Sequence, residues 1–126
     1  MARVDSPPSR LQVKTIHYKI ESDHSSGTKI LGGMPNNAVI VGHTIDVLTP
    51  VAQQGGGTAP QLTLKIGSTD ILNARAFTAA PYDGTVITPS ITTFKTTAIT
   101  DITLVQNVNV LNAGEFNYFI EYYVSA

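Results

Sequence analysis

The chain has 126 residues, which is enough for one domain with its own apolar core. Its formal net charge is −1, only 13% of its residues are charged, and it contains no cysteine. These values argue against intrinsic disorder, exclude disulfides and cysteine-based metal or redox sites, and leave no basic stripe that could bind the phosphates of a nucleic acid.

Residues 1–10 contain the adjacent prolines Pro7 and Pro8 among charged and serine residues. This composition predicts an extended N-terminal arm, followed by a single domain over residues 11–126. In assemblies such arms often become ordered against a neighbouring subunit, so Pro7 and Pro8 are candidate interface residues. An extended arm of about ten residues would reach about 30 Å.

The alternation of a β-strand begins directly after the arm. In LQVKTIHYKIE, residues 11–21, the apolar positions are odd-numbered at first and even-numbered from Ile16 to Ile20. This change of phase predicts a bulge or a twisted edge strand. Residues 22–37 predict a loop that contains one short apolar segment, Lys29 to Leu31.

The clearest strand is AVIVGHTIDVLTP, residues 38–50, and Pro50 is expected to end it. Alternation places the odd-numbered residues from Val39 to Val47 on one face and the even-numbered residues from Ile40 to Leu48 on the other. Residues 51–60 contain three consecutive glycines and predict a flexible loop, because ordering them would cost too much entropy.

Residues 61–67, QLTLKIG, alternate cleanly and predict a strand with Leu62, Leu64 and Ile66 facing inward. The next stretch, STDILNARAF at residues 68–77, is the only candidate helix in the chain. It begins with polar residues that could cap a helical turn, but it is too short to hold without packing against the rest of the domain.

Residues 81–110 are rich in β-branched side chains and contain the turn signals Asp83-Gly84 and Pro89-Ser90, so they predict several short strands. Residues 112–114, Asn-Ala-Gly, predict a turn into a final strand. The chain thus predicts about seven or eight short strands and little helix. Such spacing is typical of an all-β fold, an antiparallel β-sandwich or barrel.

The residues that could carry catalysis form no recognisable site. The three histidines lack metal-binding spacing, and His43 is interpreted as a partly buried histidine of a strand. Asp70, Asp83 and Asp101 are explained as turn residues that bond the backbone. We therefore expect no enzymatic activity, no metal and no cofactor. A small glycosidase remains the enzyme alternative, but it needs two carboxylates about 5 to 9.5 Å apart, and there is no tryptophan to line a sugar cleft.

The final strand carries aromatic side chains on both of its faces. One phase, Phe116 to Val124 at even numbers, is enough to line a core, which leaves Phe119 and Tyr123 on the opposite face. An aromatic side chain buries roughly 150–250 Å², so leaving both in water would forfeit several kcal/mol. Either the loop at residues 50–60 or the arm covers them within one chain, or another subunit does. We favour a subunit contact through Phe119 and Tyr123.

Residues 27 to 124 contain the Pro35-Asn36 turn before AVIVG, then LTLKIG followed by Asp70, and the ending LNAGEFNYFIEYYV. With these features the segment resembles small virion structural proteins of tailed bacteriophages. The resemblance is a pattern of turns and apolar positions. It covers most of the chain outside the arm.

The resemblance implies a jelly-roll-like β-sandwich that acts as a capsid decoration (cement) protein. Such a protein would lie on the capsid surface of the virion, bridge subunits of the major capsid protein, and associate with itself as a homotrimer. A head or tail fibre or adaptor component is one alternative. Another is a receptor- or carbohydrate-binding module, for which Tyr82 in a predicted turn would be the exposed aromatic.

The start of the chain lacks the apolar segment of a secretion signal, and no run of residues approaches the length of a membrane span. We therefore expect no membrane partner. We also expect assembly in the host cytoplasm, with release by another route such as lysis.

Overall fold

The computed structural model describes residues 10–79, 82–84 and 93–125. Within these ranges the chain is all β, with antiparallel pairing between every pair of neighbouring strands. The strands are β1 Gln12–Ile20, β2 His24–Met34, β3 Ala38–Gln53, β4 Gln61–Ile66, β5 Thr69–Ala76, β6 Phe94–Lys95 and β7 Thr100–Val124. The predicted all-β, antiparallel, sandwich-type fold is confirmed.

Strand β7 is the centre of the fold because it is long enough to take part in both layers of the sheet. Its first half pairs with β2 on one side and β4 on the other, and its second half pairs with β1 and β3. Strands β5 and β6 add to the outer edges of β4 and β3. The result is one hydrogen-bonded sheet that folds over on itself, with the order β5-β4-β7-β2 in one layer and β6-β3-β7-β1 in the other.

The fold-over occurs at a corner where several strands change direction together. Asp23, Asn109 and Gly114 have φ values of 67°, 58° and 151° there, and the register of β3 against β7 shifts between Thr49 and Gln53. A β-carbon at Gly114 would lie 3.0 Å from a methyl group of Val51, so the bend requires glycine. The predicted turn at residues 112–114 is wrong, because β7 continues through the bend as a strand.

The core lies between the two layers and contains side chains from both. The predicted inward residues of β4 are buried, as is the predicted core phase of the final strand at Phe116, Tyr118 and Ile120. The buried apolar residues are Ile16, Ile20, Met34, Ala38, Ile40, Ile45, Val47, Val51, Leu62, Leu64, Ile66, Ile71, Leu72, Tyr82, Ile102, Leu104, Leu111, Phe116, Tyr118 and Ile120.

Two segments that the sequence assigned to other structures are strands. Residues 22–37 were predicted as a loop, but most of them form β2, whose Gly32 lies close to the opposite layer: a β-carbon there would be 3.4 Å from Ile16 Cδ1. Residues 68–77 were predicted as a helix, but they form β5 in a hairpin with β4. Ile66 pairs with Thr69, and Gly67 supplies the positive φ of 59° that a two-residue hairpin turn needs.

The predicted end of the third strand is also wrong, because β3 runs past Pro50 to Gln53. The side chains from Leu48 to Pro50 are exposed, and proline is tolerated at such a position because it lacks only a donor that the ladder does not need there. Pro7, Pro8 and the predicted turn at Pro89-Ser90 lie outside the described residues. The boundary between arm and domain therefore stays a prediction.

Candidate interaction surface on the outer face of β7

The face of the β1–β7–β3 layer that points away from the core can be read row by row from the register. Glu121 lies between Val13 of β1 and Gly42 of β3, and Phe119 lies between Thr15 and Thr44. The alternate residues of β7 in this segment, Tyr118 and Ile120, are buried in the core, so Phe119 and Glu121 point outward.

A bulge in β3 adds a further apolar residue to this face. The register shifts between Ile40 and Gly42, so that Val41 is an extra residue opposite Glu121, and its side chain is 43% exposed. The bulge allows Ile40 and His43 to be buried on the same face, although they are an odd number of residues apart. The prediction that Val39, Val41 and His43 share one face of the strand is therefore wrong.

Val13 of β1 and Leu11, which comes two residues before it and directly precedes the strand, are exposed apolar side chains that alternation places on the same face. Strand β1 pairs with β7 without any register shift, so the bulge, one of the two predicted alternatives, is wrong. Within the described residues β1 pairs with β7 alone, which agrees with the other alternative, an edge strand. Its inward positions are even-numbered throughout, and Leu11 and Val13 are 59% and 58% exposed. The apparent change of phase in the sequence thus arose from apolar residues on the outer face.

These residues form a continuous surface that we call the outer patch. Tyr123 is 36% exposed, pairs with Val39 and is followed along this face of β7 by Glu121. Phe119 is partly exposed and lies on the other side of Glu121 from Tyr123. The outer patch consists of Leu11, Val13, Val39, Val41, Phe119 and Tyr123.

The outer patch surrounds one carboxylate. A β-carbon on Gly42 would lie 3.3 Å from Cδ of Glu121, so the Glu121 side chain lies over this glycine. The structure thus brings two of the predicted interface residues, Phe119 and Tyr123, to one face. Pro7 and Pro8 are outside the described residues, and their role stays a prediction.

The loop that could have covered this face lies elsewhere. The backbone N–H of Gln54 donates a hydrogen bond of 2.8 Å to the carbonyl of Val110, and the side chain of Asn109 donates one to the carbonyl of Thr58. Both contacts are at the corner in the middle of β7, far along the strand from Tyr123. The loop of residues 54–58 is therefore not the cover for the outer patch.

Further toward the corner the outer face becomes polar. His17 and Glu115 form an ion pair of 2.6 Å between Nε2 and a carboxylate oxygen, with His17 about half exposed. Asn117 lies between His17 and Asp46 in the intervening row. Leu48 of β3, 51% exposed, is a further apolar residue toward the corner, while the other exposed apolar side chains of this layer lie at the end where β1 begins.

His43 is more deeply buried than the sequence predicted, because its side chain is only 1% exposed. Its ring stacks on Tyr118 with an interplanar angle of 17°, and Nδ1 is hydrogen-bonded to the Tyr118 hydroxyl at 2.6 Å. Its Nε2 is buried without a partner. Burial lowers the pKa of His43 from 6.5 to about 4 and raises the pKa of Tyr118. His43 is therefore a neutral core residue at physiological pH.

His24 is part of a network of hydrogen bonds at the corner. Its Nε2 is 2.6 Å from the Tyr18 hydroxyl, and its Nδ1 is 2.6 Å from the side-chain oxygen of Gln106. The amide of Gln106 also donates hydrogen bonds to the carbonyls of His24 and Asn109. The network therefore joins β1, β2 and β7, and its residues have structural partners rather than a ligand. Sequence pattern gave no signal for it, because its members are far apart in the chain.

The described ranges contain no group of three or more histidine or acidic side chains that could hold a metal ion. Two open surface hollows, of about 390 and 200 Å³, lie against the corner and beside β6. Neither hollow is lined by residues of the outer patch. No helix in the described part of the chain is long and apolar enough to cross a membrane.

Solved structures share this fold over nearly the whole chain. A chain of the cyanophage Pam1 capsid asymmetric unit matches with a TM-score of 0.68 and 15% identity, covering 98% of this chain and 94% of that one. A chain of the acid-stable capsid structure of Helicobacter pylori bacteriophage KHP30 matches with a TM-score of 0.59 and 13% identity, over 93% and 95% of the two chains. A chain of the Ralstonia phage GP4 capsid matches with a TM-score of 0.55 and 19% identity, over 100% and 91%.

These similarities establish that the fold is one found in phage capsids, and they confirm, at the level of the fold, the resemblance read from the sequence. No protein-family model matches the chain, and no curated protein sequence matches it significantly.

Proposed function

We propose that this protein is a non-enzymatic structural component of a phage virion, a decoration (cement) protein on the surface of the capsid. The observation that carries the proposal is the end-to-end likeness to chains of three phage capsids, in which more than nine-tenths of both chains are matched. The match therefore extends over the whole described domain.

The outer patch supports a role in which the protein is packed against other chains. A stable protein interface buries about 1,200–2,000 Å² in total, and its centre is rich in tyrosine and other aromatic residues. The outer patch provides two such aromatic residues: Tyr123, which pairs with Val39, and Phe119, which lies between Thr15 and Thr44. We propose Phe119 and Tyr123, together with Pro7 and Pro8 of the arm, as interface residues.

The proposed partners are the major capsid protein and further copies of this chain, in a homotrimer. A decoration protein strengthens a shell by burying surface on neighbouring subunits, which needs no chemistry. A net charge of −1 keeps repulsion between many close copies small. We propose that the protein assembles in the host cytoplasm and is located at the capsid surface, without nucleic-acid or membrane partners.

Binding of the purified protein to empty shells of the corresponding major capsid protein tests this function. We expect saturable binding in a simple ratio to the shell subunits, and shells that withstand a higher temperature once coated. Unbound protein at all ratios, or binding only to tail or fibre components, would contradict the decoration role.

The carbohydrate-binding alternative loses its main support in the structure. Tyr82 does lie in a turn, but its side chain is only 1% exposed and packs in the core. Its backbone carbonyl accepts a hydrogen bond from Val51 of β3. Tyr82 therefore packs in the core beside β3 and presents no exposed aromatic ring to a sugar.

A further inference from the structure

The outer patch begins where the arm joins the domain. Arg10 is the first described residue, it is exposed, and Leu11 of the outer patch follows it directly. The pairing of Gln12 with Tyr122 places this junction beside the C-terminal end of β7. Residues 1–9 therefore leave the domain at the rim of the outer patch.

The length and chemistry of residues 1–9 match the outer patch. Six extended residues span about 20 Å, and three neighbouring strands are about 10 Å wide, so the segment is long enough to cross the surface. Val4 could fill apolar space between the exposed aliphatic groups. Arg3, its neighbour, complements the carboxylate of Glu121, and a guanidinium can bond a carboxylate through two parallel hydrogen bonds.

The prolines favour binding to a different copy. β1 enters the sheet from its end, so a segment that continued the direction of β1 upstream of Arg10 would lead away from its own outer patch. A return to the same patch needs a sharp reversal close to Arg10. The segment Ser6-Pro7-Pro8 opposes such a reversal, because proline has a fixed φ and the residue before a proline is held extended.

We propose that residues 1–9 of one copy bind the outer patch of a second copy, with Val4 among the aliphatic side chains and Arg3 at Glu121. The contact is heterologous, since the arm and the patch are different surfaces, and a contact of this type repeated around a rotation axis closes into a ring. This inference rests on the homo-oligomeric part of the proposed function, and it names the surfaces that join the copies.

Cysteine cross-linking between copies tests the contact, because the natural chain has no cysteine to interfere. A V4C variant is mixed with a V41C variant that carries a mass tag, and the mixture is treated with a short bismaleimide. The control replaces V41C by I30C, since Ile30 is 67% exposed but belongs to β2 in the other layer. A V13C variant provides a second position within the outer patch.

We expect the V4C–V41C and V4C–V13C products to form at least about fivefold faster than the V4C–I30C product. Equal rates would overturn the inference. In a V4C/V41C double variant at low concentration, a link formed only within single chains would also overturn it, because the arm would then cover its own patch.

The solution mass of the unmodified protein separates the inference from the function on which it rests. An oligomer whose copies do not give the expected cross-link would overturn the arm contact and leave the homotrimer standing. A monomer at every concentration, without the cross-link, would contradict both. Neither result bears on attachment to shells, which the shell-binding experiment measures separately.

Discussion

His43 is an ionisable residue in the core, where it contacts the ring and the hydroxyl group of Tyr118. Because burial lowers the pKa of His43 from 6.5 to about 4, the unfolded state binds a proton at pH values where the folded state does not. The contribution of His43 to the free energy of unfolding is thus fully present above pH 6.5 and is lost as the pH falls to about 4.

We expect this loss to be on the order of 3 kcal/mol, measured by urea unfolding at a series of pH values between 4 and 7. His43→Gln, which retains an acceptor for the Tyr118 hydroxyl, should reduce the slope of stability against pH in this window. A variant with the same slope as the unmodified protein would show that other groups cause the acid sensitivity.

At the scale of elements, the bend of β7 at Gly114 is the feature on which the two layers depend. In Gly114→Ala the new methyl group would lie 3.0 Å from Val51 and 3.2 Å from Ile20, at a φ of 151° that alanine rarely adopts. We expect a loss of about 2–4 kcal/mol in the free energy of unfolding, measured by urea titration.

Gly56→Ala is the matched control, because a β-carbon at Gly56 would meet no atom within 4 Å. It should change stability by less than about 0.5 kcal/mol. Equal effects of the two substitutions would contradict the role assigned to the bend.

The segments with regular alternation were predictable because each has one buried face and an unbroken alternation of buried and less buried residues. The even-numbered residues of β4 and the core phase at Phe116, Tyr118 and Ile120 belong to this class. Two predictions were wrong at glycines. Gly32 of β2 permits a close approach to Ile16, where the sequence predicts a loop. Gly67 forms a hairpin turn just before residues for which the sequence predicts a helix.

The outer patch was only partly predictable from the sequence, because the register of the strands decides which of the other apolar residues face outward. Phe119 and Tyr123 could be identified because they exceed what one core face needs. Val41 could not, because an apolar run such as AVIVG carries no mark of the bulge that turns it outward. Val13 was attributed to a change of phase, although it lies on the same outward face as Glu121.

At the scale of the whole molecule, Tyr123 should matter more for assembly than for folding. It is 36% exposed, so Tyr123→Ala should lower monomer stability by no more than about 1 kcal/mol. Its loss from the centre of an interface should weaken oligomer formation or shell attachment by at least about tenfold, measured by sedimentation.

Ile30→Ala is the control for Tyr123→Ala, because it removes a more exposed apolar side chain from the other layer. It should leave both assembly and stability nearly unchanged. An equal thermal loss with unchanged assembly in Tyr123→Ala would count against the interface.

Deletion of residues 1–10 should leave the domain folded, because every described strand and core residue lies beyond residue 10. The truncated protein should keep its circular dichroism spectrum and unfold cooperatively, yet assemble more weakly than the full chain. Loss of folding on truncation would show instead that the arm belongs to the core.

The central claim, that this protein works by being packed against other chains on a phage particle, is tested most directly by a cryo-electron microscopy map of the intact virion. We predict density for the two-layered domain on the outside of the shell, in groups of three at junctions between capsid subunits, with Tyr123 buried against a neighbouring chain. A particle that lacks the protein, or holds it only on the tail with Tyr123 facing solvent, would contradict the account.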